Sequence, residues 1–274
     1  MSRMLMSLAL VLLSFSFQAF AGEEELPLWE LGVGVGASTL PQYIGSDERY
    51  AIPFAFPYVV YRGEHWRVDP SGVRNRLFDV ESLSLDISLS GGLPVMNENR
   101  AREGMPELKL TGEIGPKLNW YIHESKHDSW SLHLPVRAGV NIDVDYIGWV
   151  SDPHINYSFH KPLHGGVYRA GFDIGVQYNS SLYNETYYDV EPAYKTASRS
   201  VYQADGGFHS TYIKARVRYP IEKGFDVFAT LQARTLQGGG VVNSPLVKNK
   251  LYTTFTLVGI WVISTSDEVV ISDE

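Results

Sequence analysis

In the stretch "LWELGVGVGAS", residues 28–38, apolar side chains alternate with glutamate or glycine from Trp29 to Ala37. Its two alternating sets are Trp29, Leu31, Val33, Val35 and Ala37 on one side, and Glu30, Gly32, Gly34 and Gly36 on the other. Because neighbouring side chains of a β-strand point to opposite faces, the stretch predicts a strand. One face of that strand is apolar, and the glycines leave the other face without bulky side chains.

The same glycines allow a second interpretation, as the phosphate-binding loop of a dinucleotide site. Such a loop follows a buried strand and opens an amphipathic helix. No strand precedes the glycines in the predicted mature chain, and residues 39–50 ("TLPQYIGSDERY") carry no helical period. We therefore reject the nucleotide interpretation.

The alternation returns along the whole chain. It is clearest in "ESLSLDISLS" (81–90), "SWSLHLPVRAGV" (129–140) and "YRAGFDIGVQYN" (168–179). It is weaker in segments 51–61, 108–121, 145–159, 208–219, 225–236 and 250–263. Between them lie turn signals such as "HESKHD", "IEKG" and "LQGGG", so the sequence predicts an all-β chain.

A soluble β-sandwich also alternates, but three details favour a membrane barrel. The segments are longer than ordinary strands and suit tilted strands that cross an apolar band of about 25 Å. Aromatic residues often begin or end the apolar face: Trp29, Trp130, Tyr168, Tyr178, Tyr219 and Trp261. The opposite face carries charges of both signs: Asp86, Lys109, Glu113, Arg137, Arg169, Asp173, Lys214, Arg216, Arg218, Asp226 and Arg234. We predict a transmembrane antiparallel β-barrel of the outer-membrane type, with about 12 strands and a range of about 10 to 14.

The first residues have the form of a secretory signal peptide. Arg3 precedes an apolar run from Leu5 to Phe17, and Ala19-Phe20-Ala21 is an A-x-A cleavage site. A buried core helix is the alternative for this run. We predict cleavage after Ala21, a barrel over residues 22–264, an acidic tail over 265–274, and a location in the outer membrane of a Gram-negative bacterium.

Composition narrows the possible partners and chemistry. The 274 residues have a formal net charge of −8, which argues against nucleic acid as a partner. Cysteine is absent, so disulfides and thiolate chemistry are excluded. A large exported domain without disulfides suits the bacterial envelope.

Two ordered blocks of residues resemble a known family. The first contains Trp29-x-Leu31-Gly32-x-Gly34, Pro41-x-Tyr43-x-Gly45-Ser46, Pro53, Pro57-Tyr58 and Tyr61-Arg62-Gly63. The second contains Tyr187-Tyr188-x-Val190, Ala197, Arg199, Tyr202, Gly206-Gly207 and Ser244-Pro245-Leu246-Val247. In this order they resemble the MipA/OmpV family of outer-membrane proteins.

The resemblance implies an outer-membrane scaffold in contact with lipid. Its partners would be a lytic transglycosylase and a murein synthase, and the resemblance implies no cofactor. Members of this family tend to end on an aromatic residue that closes the last strand, whereas here "FTLVGIWVIS" is followed by the acidic residues 265–274.

No catalytic or metal signature is present: there is no G-x-S-x-G elbow, no H-E-x-x-H and no P-loop. His209 and Ser210 are adjacent in a predicted strand, so we expect them to face opposite sides. Ser131 and His133 share a face, but it is the polar lumen face. His123 and His127 lie in a predicted turn, where solvated histidines are ordinary. We predict a protein without enzymatic activity, catalytic residues, metal site or cofactor.

Two functional classes remain, a scaffold and a small pore or surface receptor. A barrel of about 12 strands has a narrow lumen unless its loops leave it open. Charges of both signs on the lumen face predict internal ion pairs rather than a selective channel. Residues 92–107 and 181–207 form long connections, and such connections commonly carry binding functions.

Overall fold

A computed structural model describes residues 23–63, 66–69, 72–75, 82–95, 98–163 and 166–273, so the predicted signal peptide lies outside the described residues. The strands are β1 (Glu23–Pro27), β2 (Trp29–Pro41), β3 (Arg49–Arg62), β4 (Trp66–Asp69), β5 (Gly72–Asn75), β6 (Leu83–Gly92), β7 (Thr111–Glu124), β8 (Asp128–Asn141), β9 (Tyr146–Ser151), β10 (His154–Leu163), β11 (Gly166–Asn179), β12 (Gly207–Glu222), β13 (Phe225–Thr235), β14 (Leu251–Thr265) and β15 (Val269–Asp273). The described residues contain one α-helix, α1 (Ser181–Tyr188), and two short 3-10 helices, Arg100–Arg102 and Pro192–Tyr194.

All described strands except β1 and β15 form one antiparallel sheet that curves back on itself. Its order is β5-β4-β3-β2-β14-β13-β12-β11-β10-β8-β7-β6, and β5 lies against β6. The short strand β9 pairs with β8 and β11 above β10, so β9 and β10 together occupy one position between those two strands. The described strands therefore go around the barrel in twelve positions, as predicted.

The two faces of the wall are those that the alternation predicted. On β2, Val33 and Val35 are exposed on the outer face, while Glu30 is buried on the inner face. On β11, Phe172 and Ile174 are exposed, whereas Asp173 is 1% exposed. Large apolar side chains on the outside and charges inside are the arrangement of a barrel in lipid. Among the described residues, no helix has the length and hydropathy needed to span a membrane.

Most of the predicted girdle residues lie at one end of the barrel. Trp29 begins β2, Trp130 and Tyr168 lie near the starts of β8 and β11, and Tyr219 and Trp261 lie near the ends of β12 and β14. Tyr168 and Tyr219 contact edge to face, with ring centroids 6.1 Å apart. Tyr178 lies at the opposite end, packed against Phe208. An aromatic band at the end of the strands is typical of membrane interfaces.

The two ends differ in how the strands are connected. At the turn end, three residues join β7 to β8 and two join β12 to β13. At the loop end, much longer connections join β2 to β3, β6 to β7, β11 to β12 and β13 to β14. Both predicted long loops, 92–107 and 181–207, therefore lie at the same end.

Four details differ from the sequence prediction. The segment 145–159 is broken at Asp152-Pro153, because proline has no amide to continue the ladder. Lys109 lies before β7, where it is half exposed and paired with Asp143 rather than directed into the lumen. The long connection between β11 and β12 contains α1, which the prediction of an all-β chain did not include; Ser180 caps this helix by accepting a hydrogen bond from Tyr183 N. His123 lies in β7 rather than in a turn.

The acidic tail is ordered against the start of the chain. After β14, the chain turns at Ser266, whose amide donates to the Trp29 carbonyl at 3.0 Å. β15 then pairs antiparallel with β1 in a separate two-stranded sheet. Both described termini thus lie at the turn end of the barrel.

Candidate functional site

The connections of the loop end build a second hydrophobic core, which we term the loop cap. Its buried members come from all four long connections: Tyr43, Val95, Met105, Leu108, Tyr188, Val190, Ala204, Leu236, Val241 and Leu246. A long surface loop ordinarily leaves its apolar side chains exposed or unpacked. Here four loops bury theirs against one another, so they form a compact lid rather than independent arms.

Side-chain to backbone hydrogen bonds join the loops of the cap. Tyr43 donates its hydroxyl to the Leu246 carbonyl at 2.7 Å, and Tyr188 donates to the Ile44 carbonyl at 2.9 Å. Ser244 Oγ donates to the Tyr188 carbonyl at 2.8 Å. Burial raises the pKa of both the Tyr43 and the Tyr188 phenols, so both remain protonated donors at neutral pH.

Arg199 acts as a clamp between two of the loops. Its guanidinium donates to the carbonyls of Tyr194, Ala101 and Glu103 at 2.9, 3.0 and 2.9 Å. The side chain is buried, and among the described residues its hydrogen-bond partners are carbonyl oxygens. A planar guanidinium has enough donors to satisfy three carbonyls at once, which a lysine could not match in geometry.

Several of the residues that carry the family resemblance meet in this cap, whereas others lie in β2 and β3. Tyr43, Tyr188 and Val190 are core members, and Arg199 is the clamp. Ser244 and Leu246 from the last block provide a hydroxyl donor and a carbonyl acceptor. The sequence alone does not predict a structural role for these residues, because their contacts join segments that are far apart in the chain.

Below the cap, ion pairs fill much of the lumen. Arg62 contacts Glu30 at 2.8 Å, and Asp173 contacts Arg216 at 2.8 Å and Lys214 at 3.3 Å. The other pairs are Asp86 with Lys117, Arg137 with Glu113 and Asp152, and Arg218 with Asp226. The prediction of internal ion pairs is confirmed for these residues.

Ser131 and His133 share the lumen face as predicted, and they are part of a longer chain of hydrogen bonds. Ser131 Oγ lies 2.8 Å from His133 Nε2, and His133 Nδ1 lies 2.6 Å from Asn119 Oδ1. Asn119 Nδ2 donates to Asp86 at 2.7 Å. All four side chains are buried, and the His133 ring stacks on His154. The hydrogen-bonded chain lies on the lumen face of β6, β7 and β8.

His209 and Ser210 contradict the expectation that they face opposite sides. His209 Nδ1 lies 3.0 Å from Ser210 Oγ. The cause is a β-bulge: Gln177 pairs with Ser210 and Tyr178 with Phe208, which leaves His209 as the extra residue. The bulge directs both side chains inward, where they are buried.

The hydrogen bonds around His209 run in one direction. The Tyr188 hydroxyl donates its hydrogen bond to the Ile44 carbonyl, so the Tyr188 oxygen accepts a hydrogen bond from His209 Nε2 at 3.0 Å. His209 Nδ1 is then the acceptor for the Ser210 hydroxyl, and Ser210 Oγ accepts from Arg234 at 2.8 Å. Ser210 is fully buried, and this arrangement ties the cap to the wall.

A cavity of about 350 Å³ lies in the lumen directly beneath the cap. Tyrosine rings, glutamine side chains and the Glu113–Arg137–Asp152 cluster form part of its wall. Arg234 also lines it, with partners different from those of the other lumen arginines. It donates to Gln177 and Ser210, and its guanidinium lies 4.7 Å from the Tyr212 ring centroid.

Metal ligation is not indicated by the described part of the chain. Within it, no group of three or more His, Asp and Glu side chains is placed to hold a metal ion. His127 stacks on His160 at 6.0 Å between ring centroids.

Comparison with known proteins identifies relatives along most of the chain. Residues 33–263 match the family model "MltA-interacting protein MipA". "Outer membrane protein Omp26La" of Vibrio anguillarum is 27% identical over 81% of this chain and 81% of its own. "Outer membrane protein OmpV" of Vibrio cholerae is 27% identical over 80% of each chain. A solved "Bacterial polysaccharide outer membrane secretin" aligns with 86% of this chain and 99% of its own, at a TM-score of 0.41 and 9% identity, too distant to bear on function.

Proposed function

Because the chain belongs to the MipA family of outer-membrane proteins, we propose that it is an adaptor that links a lytic transglycosylase and a murein synthase to the outer membrane. In this role it holds other enzymes in place and turns over no substrate itself. The family description names MltA, a lytic transglycosylase, as the interacting protein. The murein synthase is the second partner that the family resemblance implies.

The observation that carries the adaptor proposal is the loop cap above a lumen occupied by ion pairs. Four loops share one buried core at the loop end, and the arginines Arg62, Arg137, Arg216 and Arg218 each contact a carboxylate below it. A barrel built in this way supports a role as a rigid membrane-anchored platform more than a role as a conduit.

The turn end is the face that we propose for the partners. Outer-membrane barrels have short periplasmic turns and longer outer loops, so the turn end and both described termini would face the periplasm. The β1–β15 sheet projects there, and a two-stranded sheet is only marginally stable alone. Its edges can accept another strand from a partner.

Co-purification tests this role. The wild-type barrel, cross-linked in an envelope extract, should capture a transglycosylase and a murein synthase at near-stoichiometric yield. Truncation of the chain after Ser266 removes β15. The truncated protein should keep the barrel but no longer capture the two enzymes. Val144→Gly changes an exposed residue at the loop end and should capture normally.

A small pore is the second candidate function, and the cavity beneath the cap favours it. The two candidates differ in a planar bilayer: a pore gives discrete conductance steps, and the adaptor gives little or no conductance. Clean steps from a preparation that captures no envelope enzyme would replace the adaptor with the pore.

A further inference from the structure

We propose that the cavity beneath the loop cap is a binding site for a small organic carboxylate, with Arg234 as the group that holds the negative charge. This site does not depend on the adaptor role. It rests on three properties of the described residues: an arginine without an acid, a guanidinium nitrogen without an acceptor, and a cavity that Arg234 lines.

Arg234 differs from its neighbours in the lumen by having no acidic partner. Arg137, Arg216 and Arg218 each contact a carboxylate, whereas no Asp or Glu oxygen of the described chain lies within 4 Å of Arg234. Arg234 is nevertheless only 8% exposed. A buried charge is costly unless it is paired, so an anion bound here would relieve a cost that the protein alone leaves in place.

One terminal nitrogen of the Arg234 guanidinium has no partner in the described part of the chain. Nη1 donates to Gln177 Oε1 and Ser210 Oγ. Nε is enclosed and makes no hydrogen bond, and Nη2 has no hydrogen-bond partner among the described residues. A carboxylate oxygen forms a strong charge-assisted hydrogen bond with a guanidinium N–H, so Nη2 can hold one. The Tyr212 ring and the Nη1 bonds hold the group in place, so little side-chain freedom would be lost on binding.

The cavity has the size and wall of a site for a small polar molecule. Its volume of about 350 Å³ is near the lower end of ligand sites, which begin at about 300 Å³. Tyr43, Tyr188 and Tyr252 provide aromatic surface, and Gln42 and Gln232 provide amide groups. A bare halide would leave most of these surfaces without a contact.

The charges of the wall favour one negative charge on the ligand rather than two. Glu113 and Asp152 share the single cation Arg137, which leaves that side of the cavity with a net negative charge. Arg234 is the cation of the lining without an acid partner, so a dianion such as phosphate would have one cation to meet and two carboxylates nearby. A monocarboxylate, with neutral or cationic groups toward Glu113, suits this distribution.

Calorimetry on the purified full-length barrel in detergent tests the site with matched probes. D-Glucuronate and D-glucose share a ring and differ in the carboxylate, and acetate provides the carboxylate alone. We expect saturable binding of glucuronate, weaker binding of acetate that competes with it, and no binding of glucose. In Arg234→Gln, glucuronate affinity should fall by about tenfold or more, because a charged hydrogen-bonding partner is lost.

Two further variants separate a lost site from a lost fold. Arg216→Gln removes a lumen arginine on the neighbouring strand that does not line the cavity, and it should bind glucuronate as the wild type does. Arg234→Lys keeps the charge and should bind with intermediate affinity. Absence of saturable binding of either acid to the wild type would overturn the proposal, as would equal affinity in the wild type and a folded Arg234→Gln.

Discussion

At the scale of single residues, the glycines of β2 show how closely the strands of this barrel approach. A Cβ atom added at Gly32 would lie 2.0 Å from the Trp261 carbonyl oxygen, which cannot move without displacing β14. A Cβ added at Gly34 would meet the far end of the Phe56 ring at 2.3 Å, and that ring can rotate away. Both glycines lie on the face that the sequence predicted to be opposite the apolar one, toward the lumen.

Gly32→Ala should therefore destabilise the barrel more than Gly34→Ala. Overpacking costs about 1–3 kcal/mol, and the upper part of that range applies where backbone must shift. The measurement is the temperature at which the folded band converts to the unfolded band on a gel. Equal temperatures for the two variants would show that β2 and β14 yield more readily than the structure indicates.

Val33→Arg tests the outer face of the same strand. Val33 is 40% exposed among the lipid-facing residues, and an arginine near the bilayer midplane costs about 2–4 kcal/mol. We expect a lower refolding yield into lipid vesicles than for Val33→Leu, which leaves the face apolar. Full tolerance of the arginine would mean that this face does not contact lipid.

Val144 carries local backbone strain that a substitution should remove. It lies in the turn between β8 and β9 with φ of 68°, a region that a β-branched residue rarely adopts. Its side chain is 80% exposed, so little packing is lost by replacing it. Val144→Asn should stabilise the fold by about 1 kcal/mol. A lower unfolding temperature than wild type would show that the valine side chain makes a stabilising contact.

At the scale of elements, the loop cap should come apart without loss of the barrel. Arg199→Met removes two hydrogen bonds that join the 189–206 and 99–105 segments, to Ala101 and Glu103, and one within the first segment, to Tyr194. We expect rapid proteolysis within these segments and an unchanged heat-dependent gel shift, because the strands keep their own ladders. Arg100→Met is the control, since Arg100 is an exposed side chain whose pairing with Glu48 contributes little. Equal resistance of both variants to protease would remove Arg199 from its role as a clamp.

The strands were predictable from sequence because lipid and lumen impose opposite chemistry on alternate residues. β8 and β11 show this best, since Trp130 and Phe172 face outward while Arg137 and Asp173 face inward. Elements set by distant contacts were not predictable. The bulge at His209 depends on the register against β11, and α1 depends on the packing of Tyr183 against Ile147 and Val150 of β9. Arg234 was placed on the lumen face by alternation, but its lack of an acid partner emerges only when all strands are assembled.

At the scale of the whole molecule, a closed sheet with an apolar exterior predicts two simple behaviours. The protein should be recovered with membranes and require detergent for extraction, because burying its outer face in lipid is what stabilises the barrel. It should also run at different positions on a gel before and after heating in detergent. Recovery of the folded chain from a soluble fraction without detergent would contradict the membrane barrel.

The ion pairs of the lumen make a linked prediction about stability and conduction. Asp173 is buried between Arg216 and Lys214 and accepts a further hydrogen bond from Asn156 at 2.6 Å. Asp173→Asn leaves two buried cations without their acid, a change that costs about 3–5 kcal/mol. We therefore expect a marked fall in the unfolding temperature.

In a planar bilayer we expect the wild type to stay closed, because the cap covers the lumen and the ion pairs occupy it. If the wild type conducts, and Asp173→Asn shifts its selectivity toward anions, these pairs line an open path and the barrel is a pore.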